Sequence, residues 1–82
     1  MITVMYFAWV RERVGVARED IETTAKTIAG LIDDLRARDP SYAPAFEDIS
    51  ALRAAVDQEL CEFDADITSA REIAFFPPMT GG

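Results

Sequence analysis

The chain opens on an almost unbroken apolar run, Met1-Ile2-Thr3-Val4-Met5-Tyr6-Phe7-Ala8-Trp9-Val10. Its β-branched and aromatic residues, with little polar alternation, predict a strand whose two faces both need cover. Arg11-Glu12-Arg13 breaks the run, Gly15 offers a turn, and Arg18-Glu19-Asp20-Ile21-Glu22 reads as a returning edge strand charged enough to discourage edge pairing. Residues 1–22 are therefore expected to form a hairpin. From Thr27 the period changes: Ile28, Leu31, Ile32 and Leu35 fall at i, i+3, i+4 and i+7, one apolar stripe along a helix. Thr27 is its natural N-cap. Arg36 and Arg38 suit the dipole of the last turn and Pro40 forces Asp39 out of helical geometry, so the helix is placed at 27–38.

Tyr42, Phe46 and Ile49 gather around Pro44 in a segment, 41–50, that predicts a short helical turn or an ordered loop. Leu52 to Val56 and Glu59 to Phe63 are short strands on either side of Asp57-Gln58, a hairpin spacing without the Gly usually wanted at the second turn position. Ile73-Ala74-Phe75-Phe76 makes a last strand, closed by Pro77-Pro78. One crossover helix among strands in so small a domain is best satisfied by a mixed sheet of about five strands wrapped over that helix. This is the α+β arrangement called β-grasp and known from ubiquitin. The body is expected over residues 1–76, with 77–82 a flexible tail. No repeat, linker or low-complexity stretch interrupts it.

Neighbours on a strand face opposite sides of the sheet, so only one of Phe75 and Phe76 reaches the core. Tyr6 and Phe7 pose the same problem, and one helix with a four-residue stripe covers a single face. The surplus aromatics point to a partner surface unless the 41–50 segment folds over them. The chain end is the second candidate. Two prolines stiffen the exit, and Pro77-Pro78-Met79-Thr80-Gly81-Gly82 can reach about 20 Å from the body. Gly81 and Gly82 carry no side chain, which suits a tail that threads a channel and presents its α-carboxylate to a buried site; a frayed end is the bland alternative.

Composition narrows the chemistry. Eighty-two residues allow one domain with little interior for a cofactor, so a self-contained enzyme pocket is not expected. Fifteen acidic residues against eight basic ones give a net charge of −7, which repels nucleic-acid phosphates and anionic membrane surfaces, and neither partner is expected. The chain has no His and one Cys, which removes the commonest acid-base group, a Cys-based zinc site and any intramolecular disulfide. Nothing approaches the apolar length of a membrane span, and a reducing cytoplasm is the expected setting. Cys61, close to Glu59 and Glu62 and without a neighbouring base, is expected to pack rather than react. Asp33-Asp34 and Asp64-x-Asp66 read as solvated surface, and no metal site is expected.

A resemblance sharpens this. Met1-Ile2-Thr3-Val4-Met5-Tyr6-Phe7-Ala8 with Val10-Arg11-Glu12, then Ala54-Ala55-Val56-Asp57-Gln58, and above all Glu72-Ile73-Ala74-Phe75-Phe76-Pro77-Pro78-Met79-Thr80-Gly81-Gly82 span the whole chain. Together they resemble the small subunits of molybdopterin synthase, the MoaD-type sulfur carriers of molybdenum cofactor biosynthesis. The Phe-Pro-Pro-x-Thr-Gly-Gly ending is far more selective than Gly-Gly alone. Asp57 stands where that family usually has Asn, and Ala70-Arg71 where it usually has Gly-Asp.

The resemblance implies that the Gly82 carboxylate is adenylated by an E1-like partner using ATP, with no cofactor bound stably by the carrier itself. The adenylate becomes a thiocarboxylate, and the tail from Pro77 through Pro78, Met79, Thr80 and Gly81 inserts into a large subunit. There the sulfur enters a cyclic pyranopterin monophosphate. It implies a heterotetramer of two small and two large subunits, with the catalytic side chains on the large subunit, and it matches Phe7, Arg11, Leu60 and Phe76 to positions that pack on the partner. The chemistry is coherent: an ionised carboxylate is a poor electrophile, so AMP first supplies a leaving group. Alternatives are a related carrier for thiamine or tRNA thiolation, a ubiquitin-like modifier ending as an isopeptide on lysines, and an interaction module whose tail does no chemistry.

Overall fold

The structure, a computed structural model, describes residues 1–78. Strand β1 (Ile2–Tyr6) is followed by a two-turn helix α1 (Ala8–Val14), then by β2 (Arg18–Ile21), α2 (Ile28–Arg38), β3 (Arg53–Val56), β4 (Glu59–Cys61) and β5 (Glu72–Phe76). The five strands form one sheet in the order β2-β1-β5-β3-β4. β1 and β5 run parallel at its centre and the other three pairings are antiparallel. A mixed five-stranded sheet on one main helix is the β-grasp architecture expected from the element order.

Helix α2 forms for the reasons its sequence suggests. The Thr27 Oγ1 accepts a hydrogen bond from the Gly30 amide at 3.1 Å, which satisfies one free donor of the first turn. Ile28, Leu31, Ile32 and Leu35 are all buried against the sheet. They meet the alternate residues Ile2, Val4 and Tyr6 of β1 and Ile73 and Phe75 of β5 in one core. The 41–50 segment supplies the rest. Short 3-10 turns at Pro40–Tyr42 and Ile49–Ala51 bracket the buried Ala45 and Phe46, and the Phe46 ring meets Phe75 edge-on at 5.1 Å. That segment therefore closes the helix side of the sheet and leaves the other side uncovered by any element described.

The opening run departs from expectation. β1 stops at Tyr6, and Ala8-Trp9-Val10 is the start of α1 instead of a continued strand. Ala8 takes a left-handed backbone angle, φ 53, which ends the extended run and costs on the order of 1–2 kcal/mol for a residue with a Cβ. Beyond that kink the helical period serves burial better: Val10 is fully buried, and Val14, one turn on, packs against the core. Gly15 ends α1 at φ 100, and its amide donates to the Arg11 carbonyl at 2.8 Å. β1 and β2 do pair antiparallel, but through a helical connection and not a turn.

The second hairpin forms despite lacking glycine. Asp57 and Gln58 both adopt positive φ, 49 and 73, the handedness a two-residue turn needs between twisted strands. The Asp57 Oδ1 accepts from the amides of Arg71 and Glu72, each at 3.0 Å, and the Asp57 amide donates to the Glu72 carbonyl at 2.9 Å. The two places where the sequence departs from the resembled family thus touch each other. A carboxylate oxygen accepts there as an Asn carbonyl oxygen would.

Candidate functional site

The side of the sheet turned away from α2 is built by strand alternation. β1 presents Thr3 and Met5 outward, β5 presents Glu72, Ala74 and Phe76, and β3 presents Arg53 and Ala55. The registers align Met5 with Ala74, Ala74 with Ala55 and Ala55 with Leu60, a row that crosses four strands. Phe7 and Phe76 cap it. The parallel register that pairs Tyr6 with Phe75 brings Phe7 alongside Phe76, and the Phe7 amide donates to the Phe75 carbonyl at 3.1 Å. Leu60 is 71% exposed and Phe7 44%, large values for apolar side chains on adjoining parts of one surface. Phe75 is fully buried while Phe76 is only half-buried.

Three of the four residues singled out for partner packing, Phe7, Leu60 and Phe76, are therefore on this outward side. Phe7 and Phe76 are neighbours; Leu60 lies two strands beyond Phe76, roughly 10 Å away at ordinary strand spacing. Arg11 reaches the site differently. It lies on α1, one helical turn after the N-cap Phe7, with its amide 3.4 Å from the Phe7 carbonyl and its side chain exposed. Met5, Ala55 and Ala74 complete the row and were not singled out from the sequence. Alternation within each strand carries them, but only the register reveals that they line up.

The tail leaves from the edge of this surface. β5 ends at Phe76, and Pro77 and Pro78 follow it half-buried. Met79, Thr80, Gly81 and Gly82 lie outside the described residues. The tail therefore begins directly after Phe76, the last residue of β5.

Cys61 points the other way. It pairs with Ala54 on the helix side of the sheet, its Sγ 3.7 Å from the Ala54 carbonyl oxygen, and burial pushes its thiol pKa up, with the Glu62 and Asp64 carboxylates adding to the rise. A suppressed thiolate in half-buried surroundings fits packing and not nucleophilic work. Among the described residues no cluster of three metal-ligating side chains exists, and no helix is long and apolar enough to cross a membrane.

Comparison with known proteins bears on this geometry. The chain is 43% identical over 82 residues to the molybdopterin synthase sulfur carrier subunit of Escherichia coli, and 34% identical to that of Haemophilus influenzae, each alignment covering 100% of both chains. Its fold matches a crystal structure of small archaeal modifier protein 1 from Haloferax volcanii with a TM-score of 0.75 at 18% identity, covering 95% of this chain and 97% of that one. A ThiS family model matches residues 4–82, nearly the whole chain and the Gly-Gly end with it. On that match and those full-length identities, the chain belongs to the ThiS family of β-grasp sulfur carriers.

Proposed function

We propose that this protein is the sulfur carrier subunit of molybdopterin synthase. The observation that carries the reading is the continuity of β5: one strand holds Phe75 in the core, sets Phe76 on the apolar outward surface, and runs directly into the Pro-Pro-x-Thr-Gly-Gly tail. The full-length identity to two carriers of that name supports it.

In this reading the body is a grip and the tail is the reagent. A large subunit packs on Phe7, Leu60 and Phe76, with Arg11 at the rim, and the tail from Pro77 to Gly81 enters its active site. The Gly82 carboxylate attacks the α-phosphate of ATP on an E1-like enzyme, and pyrophosphate leaves. A sulfur donor then displaces AMP from the acyl carbon to give the thiocarboxylate. Holding that sulfur nucleophile against a cyclic pyranopterin monophosphate needs positioning more than activation, which agrees with a carrier devoid of His. Two carriers and two large subunits form the complex, and the setting is the cytoplasm.

The test is intact-protein mass spectrometry of carrier isolated from its native host. Replacement of one oxygen by sulfur, localised to Gly82, is the expected outcome. Carrier found mainly as isopeptide conjugates on lysines, with no thiocarboxylate, would establish a protein modifier instead.

A further inference from the structure

We infer that the large subunit does not stop at the outward surface but supplies an extended segment that pairs along the free edge of β4 as a sixth strand. The proposal rests on the reading of that surface as the large-subunit docking site. It starts from the peptide planes. The two-residue turn at Asp57-Gln58 makes Val56 and Glu59 a hydrogen-bonded pair, and alternation makes Ala54 and Cys61 the next. The Glu59 and Cys61 carbonyls therefore point at β3, and the trans peptide geometry turns the following amides, those of Leu60 and Glu62, away from it. β4 is last in the strand order, so no strand among the described residues lies on that side.

The edge is joined to a partly apolar groove. Ile49, Leu52, Leu60 and Phe63 supply the apolar part of a groove of about 640 Å³ beside β4, whose polar lining includes Arg53 and Glu62. Leu60 stands on the ridge between this groove and the outward row of Met5, Ala74 and Ala55, so a partner that covers the row meets the groove without a break. Ile49 on the far wall is itself 42% exposed. Strand addition is the mode that uses both features, since main-chain bonds satisfy the edge while an alternate apolar side chain fills the groove. The exposed carboxylates of Glu59, Glu62 and Asp64 flank the edge and outnumber the single guanidinium of Arg53, which is itself bonded to the Ser50 and Leu52 carbonyls, and this favours a segment carrying Lys or Arg beside its apolar anchor.

The test uses the whole carrier and its large subunit. Glu62→Pro deletes one outward amide without touching a bond to β3, and Ile49→Lys places a charge on an already exposed groove wall. Each is expected to weaken the complex roughly tenfold while keeping the wild-type thermal transition. Hydrogen exchange should show the Leu60 and Glu62 amides slowing only in the complex, with those of Glu59 and Cys61 already slow in free carrier. Unchanged affinity in both variants, or no new protection at Leu60 and Glu62, would overturn the sixth strand. Phe76→Ser keeps the two readings apart: wild-type affinity in that variant would overturn the docking surface itself.

Discussion

Phe75 and Phe76 are chemically identical neighbours, and only the pleat of β5 separates their fates. Phe75 stacks near Tyr6, the ring centroids 6.3 Å apart, inside the core; Phe76 faces outward beside Phe7. Phe75→Ser should cost about 3 kcal/mol or more in urea unfolding, the range for emptying a buried aromatic site. Phe76→Ser should leave that midpoint close to wild type and weaken large-subunit binding by about 2 kcal/mol, the scale of an interface anchor. The reverse pattern would put the docking surface on the wrong side of the sheet. Asp57 gives a second prediction at this scale. Its one oxygen holds two amides at the start of β5 from a left-handed backbone position. Asp57→Asn keeps both the acceptor and the tolerance for that backbone and should be near neutral; Asp57→Ala loses both and should destabilise by about 2 kcal/mol. Equal unfolding midpoints for the two variants would show that the clamp contributes nothing.

Between elements, one carboxylate ties three together. Glu19 of β2 accepts from the Tyr6 hydroxyl of β1 at 2.8 Å and from the Tyr42 hydroxyl, in the turn after α2, at 2.6 Å. Burial, then the bond to Glu19, raises both phenol pKa values, that of Tyr42 to about 12 and that of Tyr6 further. Each folded-state pKa lies above the unfolded value of 10.0, so the fold favours the protonated phenols. Their contribution is complete below pH 10 and is lost as pH rises from there through the folded values. Urea midpoints should therefore hold level to about pH 9 and fall above pH 10, and Tyr42→Phe should flatten that fall; a midpoint indifferent to alkali would refute the coupling. The elements also show what a sequence discloses. The Ile28-Leu31-Ile32-Leu35 stripe, the Thr27 cap and the Asp57-Gln58 spacing were legible because each is a local preference. Helix α1 was not: its first residues are apolar and partly β-branched like a strand, it spans only two turns, and the kink at Ala8 belongs to a residue with no sequence mark for positive φ. Val10, Val14 and Gly15 carried its only trace. For the site, alternation announced that one of Phe75 and Phe76 faces outward and the family resemblance named Phe76, whereas the row through Met5, Ala74, Ala55 and Leu60 exists only once register is known.

For the whole molecule, the body and the tail should be separable. Deleting Gly82, or adding a residue after it, leaves the core untouched and should preserve a native-like thermal transition. Deletion withdraws the reacting carbon by about 3.5 Å and extension replaces the carboxylate with an amide, so both should abolish pyrophosphate exchange with the activating enzyme and product formation with the large subunit. Wild-type rates in the extended variant, with trimming excluded by mass, would reduce the tail to a docking peptide. The parallel pairing of β1 with β5 adds a kinetic side to this architecture. The centre of the sheet joins the first described strand to the last, so the sheet cannot be completed until β5 is available. Pairing Val4 with Ile73 closes a loop of about 70 residues, a high-contact-order search that runs slower than local helix formation. A chain cut short before Glu72 is thus left without the middle strand of its sheet, and what remains falls into two separate pairs, β2 with β1 and β3 with β4.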